Sequence, residues 1–499
     1  MGADVLIVGA GPTGLVLASW LARLQVPFRI IDRNDGPAPE SRALAIQART
    51  LEFYAQTGFA ETAVAHGVRL EALNLWARGT RAAHVKFGEM GRGLSPFPYA
   101  LILAQDQHER LLVEHLSQSG VRVERNTELL GFQAHDDRVV ARLRLSGGQQ
   151  ETSEYLWVAG CDGARSIVRE TLDVGFPGGT YSHLFYVADV RASGPVVNGE
   201  LHVALDESDL LAVFSLPTAG TIRLVGTVRP HADPERKITW GDVSRGILER
   251  LRIDVARVNW FSTYRVHHRV TLGFRSGRAF LLGDAAHIHS PVGGQGMNTG
   301  IGDAVNLAWK LANVIHGPGT PDLLDTYQTE RIAFAQRLVA TTDRAFTFAS
   351  SDGSLARLVR VDLVPHVLPA LFAHDAARRY LFRTISQILV RYPDSILSAG
   401  RAGQVHGGDR LPWAGRNFEP LKSLDWQVHT YGSASGPLVQ FCDRTALPLH
   451  TFPFDADARA AGFERDAVYL VRPDGYVALA DPMGEVPPLQ AYVRKHALR

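Results

Sequence analysis

Residues Asp4 to Val8 form a short apolar run that ends in glycine, the pattern of a strand buried on both faces. Apolar residues then recur at helical spacing from Leu15 to Leu24, and Phe28 to Ile31 is a second buried run. Strand, helix and strand together predict a βαβ unit of about thirty residues. Helices are predicted over Leu44–Gln56 and Asp106–Ser119, the second with Leu111, Leu112, His115 and Leu116 on its apolar face. Val121–Glu124 and Val139–Leu145 alternate like half-buried strands.

Residues 181–270 change character. Runs at Leu201–Leu205, Leu210–Leu216 and Ile222–Val228 are separated by Gly, Pro and Asp turns, with one helix near Val243–Leu251. This predicts an antiparallel sheet inserted between parts of an α/β domain. Ala279–Leu282 returns to a buried strand, followed by long helices over Met297–Ile315 and Tyr327–Ala345. Residues 355–398 read as mainly helical, interrupted by Pro365, Pro369 and Pro393. From Gly407 the pattern is β-rich, with strands near Leu438–Cys442 and Val468–Val471.

A chain of 499 residues is too long for one hydrophobic core. Lys plus Arg (52) balance Asp plus Glu (51), and the basic residues are scattered, so charge gives no argument for a nucleic-acid partner or an anionic membrane. No apolar run reaches the roughly eighteen residues of a membrane span. Cys161 and Cys442 are far apart and outside any C-x-x-C pair. With no secretion signal, they suggest a reducing, cytoplasmic setting.

The chemistry begins at Gly9-x-Gly11-Pro12-Thr13-Gly14, which follows a predicted strand and opens a predicted helix. The first glycine allows the tight turn, the second lets backbone approach a pyrophosphate, and the third lets helix and strand pack closely. The helix N-terminus offers unpaired N–H groups to phosphate. Asp32 ends the second strand, where a carboxylate can accept from an adenosine ribose. Its neighbour Arg33 is either a phosphate or ribose contact or a solvated cation.

Two further segments extend the pattern. Cys161-Asp162-Gly163 ends the apolar strand Leu156–Ala159; read alone it is a strand-to-helix turn capped by Asp162 or Ser166. Gly283-Asp284 ends another strand, at the edge where α/β sheets bind ligands, and Asp284 can accept from sugar-alcohol hydroxyls. Pro291 to Asn298, through Gly294, Gly296 and Met297, is a glycine loop entering a long helix. Such a loop suits close approach to a planar ring, and the helix dipole favours negative charge at its start, as on the N1–C2=O edge of reduced flavin.

These segments together resemble the para-hydroxybenzoate hydroxylase-type FAD-dependent aromatic monooxygenases over nearly the whole chain. The resemblance implies a Rossmann-type FAD-binding domain (1–75, 100–172 and 275–350) and an inserted β-sheet substrate domain (76–99 and 173–274). A helical connection (351–399) would lead to a C-terminal domain (400–499). That last part resembles the thioredoxin-like domain of phenol hydroxylase, polyketide hydroxylases and rifampicin monooxygenases through Tyr469 to Gly475, but without redox cysteines, so a packing or dimer role is expected. The resemblance also implies that Asp284 binds the FAD ribityl chain and that Asp162 serves both FAD and the nicotinamide. Arg42, in a segment continuing to Arg49–Glu52, would contact FAD, and Gln105 would bond near the ribityl or phosphate region.

The implied reaction reduces FAD with NADPH or NADH and uses O2 to form a flavin C4a-hydroperoxide, which hydroxylates a small aromatic substrate. No side chain is assigned a catalytic proton transfer. Tyr186, Phe214, Trp260 and Tyr264 are candidates for an aromatic pocket or for plain core. His287 and His289 flank Ile288 like metal ligands, but no third ligand has suitable spacing. Baeyer–Villiger oxygenation on the same scaffold, a flavin-holding binding protein and a nicotinamide-only dehydrogenase are the alternatives; a monomer and a homodimer are equally open.

Overall fold

The opening pattern folds as a parallel βαβ unit: β1 (Val5–Val8), α1 (Pro12–Arg23) and β2 (Phe28–Ile31). The computed structural model describes residues 3–37, 43–205, 210–228, 238–290, 294–317, 319–350 and 373–498. Arg42, Pro291 and the interrupting prolines Pro365 and Pro369 lie outside them. Pro12 stands at the first position of α1, where its missing N–H leaves no bond unmade. The domain continues with α2 (Ala48–Thr57), α3 (Gln105–Gln118), β3 (Trp157–Gly160), β4 (Ala279–Leu281), α4 (Gly296–His316) and α5 (Asp325–Ser350). The sheet order is Arg275–Ser276, β4, β3, β1, β2, all parallel except the first short strand. Every residue of β1, β3 and β4 is buried, and α1 packs against α4 over one face.

The inserted sheet has eight strands in the order His287–Ile288, Asp254–Val270, Gly178–Ser193, Thr221–Val228, Leu210–Ser215, Leu201–Leu205, Ala72–Ala77, Thr80–Lys86. It is not wholly antiparallel: Leu201–Leu205 runs parallel to Ala72–Ala77. The hairpin Ala72–Lys86 therefore joins this sheet from a point upstream of residue 76.

Three local expectations fail for identifiable reasons. Ala45–Ile46 pairs with Leu101–Ile102, so the helix expected from Leu44 starts only at Ala48. In the segment from Val121, only Glu124 makes a β-bridge, with Ile31. Leu438–Cys442 is helical, inside Gly436–Thr445, because Ser435 Oγ caps the first turn by accepting from Leu438 N and Pro437 stands at its start. A short apolar run does not by itself separate strand from buried helix.

The C-terminal part holds a six-stranded sheet ordered Val405–His406, Ala399–Ala402, Val477–Asp481, Val468–Val471, Gln427–Tyr431, Leu449–Phe452. Helices Gly436–Thr445, Ala456–Ala460 and Val486–Lys495 follow the strands Gln427–Tyr431, Leu449–Phe452 and Val477–Asp481 in turn. It is docked through buried charge. Arg472 donates to Glu330 of α5 at 2.7 and 3.0 Å, and Lys310 of α4 donates to the same carboxylate at 2.9 Å. Asp474 accepts from Arg472 and from Trp309 Nε1. Arg410 pairs with Glu52 of α2, which also holds Arg49 and the Ser95 hydroxyl. Cys161 and Cys442 are buried in separate clusters. No helix among the described residues is long and apolar enough to cross a membrane.

Candidate active site

Three loops leave the carboxyl ends of β1, β3 and β4 side by side. Gly9 has φ +102°, and a Cβ there would lie 2.4 Å from the carbonyl oxygen of Cys161. A Cβ on Gly14 would lie 2.0 Å from the carbonyl oxygen of Gly9. Both glycines are therefore demanded by the protein's own backbone. Gly11 differs: a Cβ there meets nothing within 4 Å, and no side chain caps the helix it begins. Open space thus faces the unpaired N–H groups at the start of α1.

Asp32 closes the side of this loop. Its carboxylate accepts from Ala10 N at 2.7 Å and Asn34 N at 2.8 Å, with Arg125 at 3.6 Å. Arg33 points to solvent. On the other side, Asp162 Oδ2 accepts from Val168 N at 3.2 Å, whereas Oδ1 is buried with no hydrogen-bond partner. Burial raises the Asp162 carboxyl above its usual range, against the hydrogen bonds from Ser166 and the turn. Ser166 caps the short helix Ile167–Thr171 by accepting from Arg169 N.

The β4 turn packs onto the glycine loop. A Cβ on Gly283 would lie 2.7 Å from Thr13 Oγ1, and one on Gly300 would lie 2.4 Å from the same atom. Thr13, Gly283 and Gly300 thus lock α1, the turn and α4 together, leaving Asp284 exposed at the rim. Beneath the turn, Asp303 accepts from Gly283 N at 3.0 Å, His287 Nε2 at 2.7 Å and Arg331 Nε at 2.6 Å. Burial pushes the Asp303 carboxyl up, but Arg331 and then His287 outweigh it and hold it below its ordinary value. Arg331 also donates to Thr299 O and Tyr392 OH. Arg169 donates to Ala164 O at 2.8 Å and Ala285 O at 2.9 Å, tying the second loop to the third.

At the start of α4, Gly294 has φ +63° and Met297 is half-buried. The Asn298 amide is fully engaged within the protein: its oxygen accepts from Gln47 N and Thr50 Oγ1, and its nitrogen donates to Ala45 O and Gly294 O. That leaves only its backbone N–H for a ligand. Gln105 begins α3, bonded through its backbone to Ala43 and through its side chain to Glu109. Arg49 turns away from the loops, to Glu52 and Asp474 O.

Gly9, Gly11, Thr13, Gly14, Asp32, Asp162, Gly283 and Asp284 therefore meet at one sheet edge. The pattern singled out neither Asp303 with Arg331 nor Arg169. A carboxylate inside the apolar stretch Ile301–Leu307 was the available signal for Asp303. Tyr186 belongs to the sheet's core, stacked on Phe261; Trp260 faces Arg223, Tyr264 leans on Phe185, and Phe214 packs beside a separate core cluster.

This donor set fits FAD. An open helix N-terminus suits the pyrophosphate, the carboxylate ending β2 suits the adenosine ribose, and the partnerless Asp162 oxygen and exposed Asp284 lie on the same edge. Residues 2–342 match the family model described as FAD binding domain. The chain is 35% identical to the 6-methylpretetramide 4-monooxygenase of Streptomyces rimosus, over 96% of this chain and 90% of the relative. It belongs to the FAD-dependent aromatic monooxygenases. The anhydrotetracycline hydroxylase of the same organism superimposes on this monooxygenase with a TM-score of 0.79 at 28% identity, over 99% of each chain. A dialkyldecalin synthase of Streptomyces rugosporus is 30% identical over 97% of this chain and 96% of the relative.

Proposed function

We propose that the protein oxidises NADPH or NADH and inserts one atom of O2 into a polycyclic or phenolic aromatic substrate of polyketide or antibiotic type, releasing the other atom as water. FAD, when bound, supplies the carrier for the two nicotinamide electrons and the centre at which O2 is activated. The observation that carries the reading is the open position at Gly11, in front of an uncapped helix and beside Asp32. In this reading the α1 N-terminus holds the pyrophosphate, Asp32 the ribose, Asp284 the ribityl chain, and the first turn of α4 the electron-rich edge of the reduced ring. Asp303 and Arg331 act from behind by fixing the turn that carries Asp284. The eight-stranded sheet roofs the substrate.

The order of the C-terminal strands and helices supports a thioredoxin-like reading for that domain. Its lone Cys442 is buried, and burial pushes the thiol up to about 11, so it is a poor thiolate and the domain acts by packing. Treatment with a thiol reductant is expected to leave turnover unchanged.

The test is anaerobic mixing of the FAD-loaded protein with NADPH and with NADH, while a panel of phenols, naphthoquinones and aromatic antibiotics is added. Bleaching of the flavin that one compound accelerates, followed by oxygenation of that compound when air is admitted, is the expected result. The similarity to a dialkyldecalin synthase favours one rival, a scaffold that holds FAD and shapes a ligand without net oxidation. Flavin that no nicotinamide bleaches in the presence of any panel member would support that rival. Asp284→Ala, at an exposed position, is expected to change stability little and to weaken FAD binding by about tenfold or more, read by equilibrium dialysis. Unchanged FAD affinity would remove Asp284 from the ribityl role.

A further inference from the structure

His289 and Ser290 join the edge strand His287–Ile288 of the eight-stranded sheet to the loop that enters α4. They stand where the proposed substrate roof meets the cofactor domain. His289 Nδ1 lies 2.9 Å from the carbonyl oxygen of Ser290. A carbonyl oxygen only accepts, so Nδ1 carries the hydrogen and Nε2 is left as an acceptor. That Nε2 is buried with no hydrogen-bond partner. The hydroxyl of Ser290, whose side chain is fully buried, has none either.

These two adjacent orphans lie beside His287, Asp303, Arg331 and Asn298, whose side chains are hydrogen-bonded, and buried polar groups are usually paired. The first residue of α4, Gly296, lies alongside the ring, where a Cβ would stand in van der Waals contact 3.7 Å from Nε2 and Cε1. Burial, aided by His287 and opposed by the Ser290 carbonyl, holds the imidazole down to about 4. The ring is therefore neutral near neutral pH, with Nε2 as an acceptor.

We propose that His289 Nε2 accepts a hydrogen bond from a phenol or enol hydroxyl of the substrate, with Ser290 Oγ as a second polar contact to the same oxygenated edge. The inference rests on the aromatic-substrate reading above and narrows it to substrates that present a hydroxyl donor at this point. His289 is thereby a specificity-determining residue: a ring whose hydroxyl is masked loses the bond and leaves the acceptor desolvated and unpaired.

The experiment titrates the FAD-loaded enzyme, without nicotinamide, with 2-naphthol and with its methyl ether, reading the perturbation of the flavin absorption band. Wild type is expected to bind 2-naphthol about tenfold or more tightly than the ether. His289→Gln, which keeps a carbonyl acceptor, should retain most of that preference, and His289→Leu should reduce it to within about threefold while FAD affinity is unchanged. Taking the ratio within each variant cancels the added bulk of the methyl group. Equal binding of the two compounds by wild type overturns the inference and leaves the aromatic-substrate reading standing, whether or not the variants fold. A preference that survives in His289→Leu also overturns it. Weaker FAD binding in that variant would assign the acceptor to the cofactor instead. If neither compound perturbs the wild-type flavin, His289 offers no usable acceptor to a simple phenol and the inference is overturned, while the aromatic-substrate reading is decided separately by the wider panel.

Discussion

Gly11→Ala is expected to weaken FAD binding by about a hundredfold or more while leaving the stability of the FAD-free protein within about 0.5 kcal/mol of wild type. Gly11 has φ −76° and ψ −178°, a conformation alanine adopts without strain, and the added Cβ meets no protein atom. The only thing it obstructs is the approach of a ligand to the α1 N-terminus. There the N–H groups bind a doubly charged pyrophosphate only if the backbone can come within hydrogen-bond distance. Gly14→Ala is the matched control. Its Cβ would fall 2.0 Å from the Gly9 carbonyl oxygen and 3.3 Å from Cys161 Cβ, so the loop itself must move. That change should destabilise the FAD-free protein by on the order of 3 kcal/mol as well as abolish FAD binding. Denaturant unfolding of the FAD-free proteins separates the two effects, and fluorescence titration with FAD reads the affinity. Wild-type FAD affinity in Gly11→Ala would mean that the pyrophosphate does not sit on this loop.

Glu330→Gln is expected to destabilise the folded protein by about 3–5 kcal/mol, the usual effect of removing one member of a buried ionic network. Glu330 accepts from both terminal nitrogens of Arg472, from Lys310 Nζ at 2.9 Å, from Asn306 at 2.6 Å and from the Ser395 hydroxyl at 2.7 Å. A neutral amide would leave two buried cations with only Asp474 to balance them, and its NH2 would face donors. The same network carries a pH signature. Burial alone would raise the Glu330 carboxyl, but Arg472 and then Lys310 outweigh it and hold the carboxyl far below the ordinary carboxylate range. A carboxyl with a depressed value in the folded state contributes stability that is fully present above its unfolded value of about 4.3 and is lost as pH falls below that. Wild type should therefore lose stability steeply on acidification, and Glu330→Gln should show a flatter acid limb. Trp309, which donates to Asp474 and lies edge-on to Trp426 at 5.4 Å, reports the junction by fluorescence during urea titration at several pH values. Equal acid limbs for the two proteins would deny Glu330 this role.

The distribution of charge across that junction also bears on the site. Arg331 precedes no glycine and belongs to no motif, yet it links Asp303, beneath the Gly283–Ala285 turn, to Tyr392 on the C-terminal side. Glu330, its neighbour on α5, faces Arg472. Adjacent residues of one helix thus hold the cofactor-side turn and the C-terminal sheet. Among the described residues, the C-terminal part contributes by fixing α4 and α5 and places no side chain among the three loops.

The βαβ unit, the glycine turns and the order of the carboxylates were legible in the chain because each depends on local geometry. A four-residue apolar run bounded by glycine has few alternatives to a buried strand, and the φ of +102° at Gly9 excludes most side chains whatever surrounds it. The same locality explains the misreadings. Leu438–Cys442 has a strand's composition, but Ser435 and Pro437 start a helix there, a signal carried by two residues outside the run. Ala45–Ile46 becomes a strand only because Leu101–Ile102 lies beside it. Tertiary structure alone decided the parallel pairing of Leu201–Leu205 with Ala72–Ala77, the convergence of Asp303, His287 and Arg331, the turning of Arg49 towards Asp474, and the engagement of Asn298 with Gln47 and Thr50. The strand pairing is a backbone ladder between segments far apart in the chain, and the other three share one physical reason. A polar side chain buried in the interior is stable only against a particular partner, and that partner stands 16 to 425 residues away along the chain at positions that hydrophobic period does not encode.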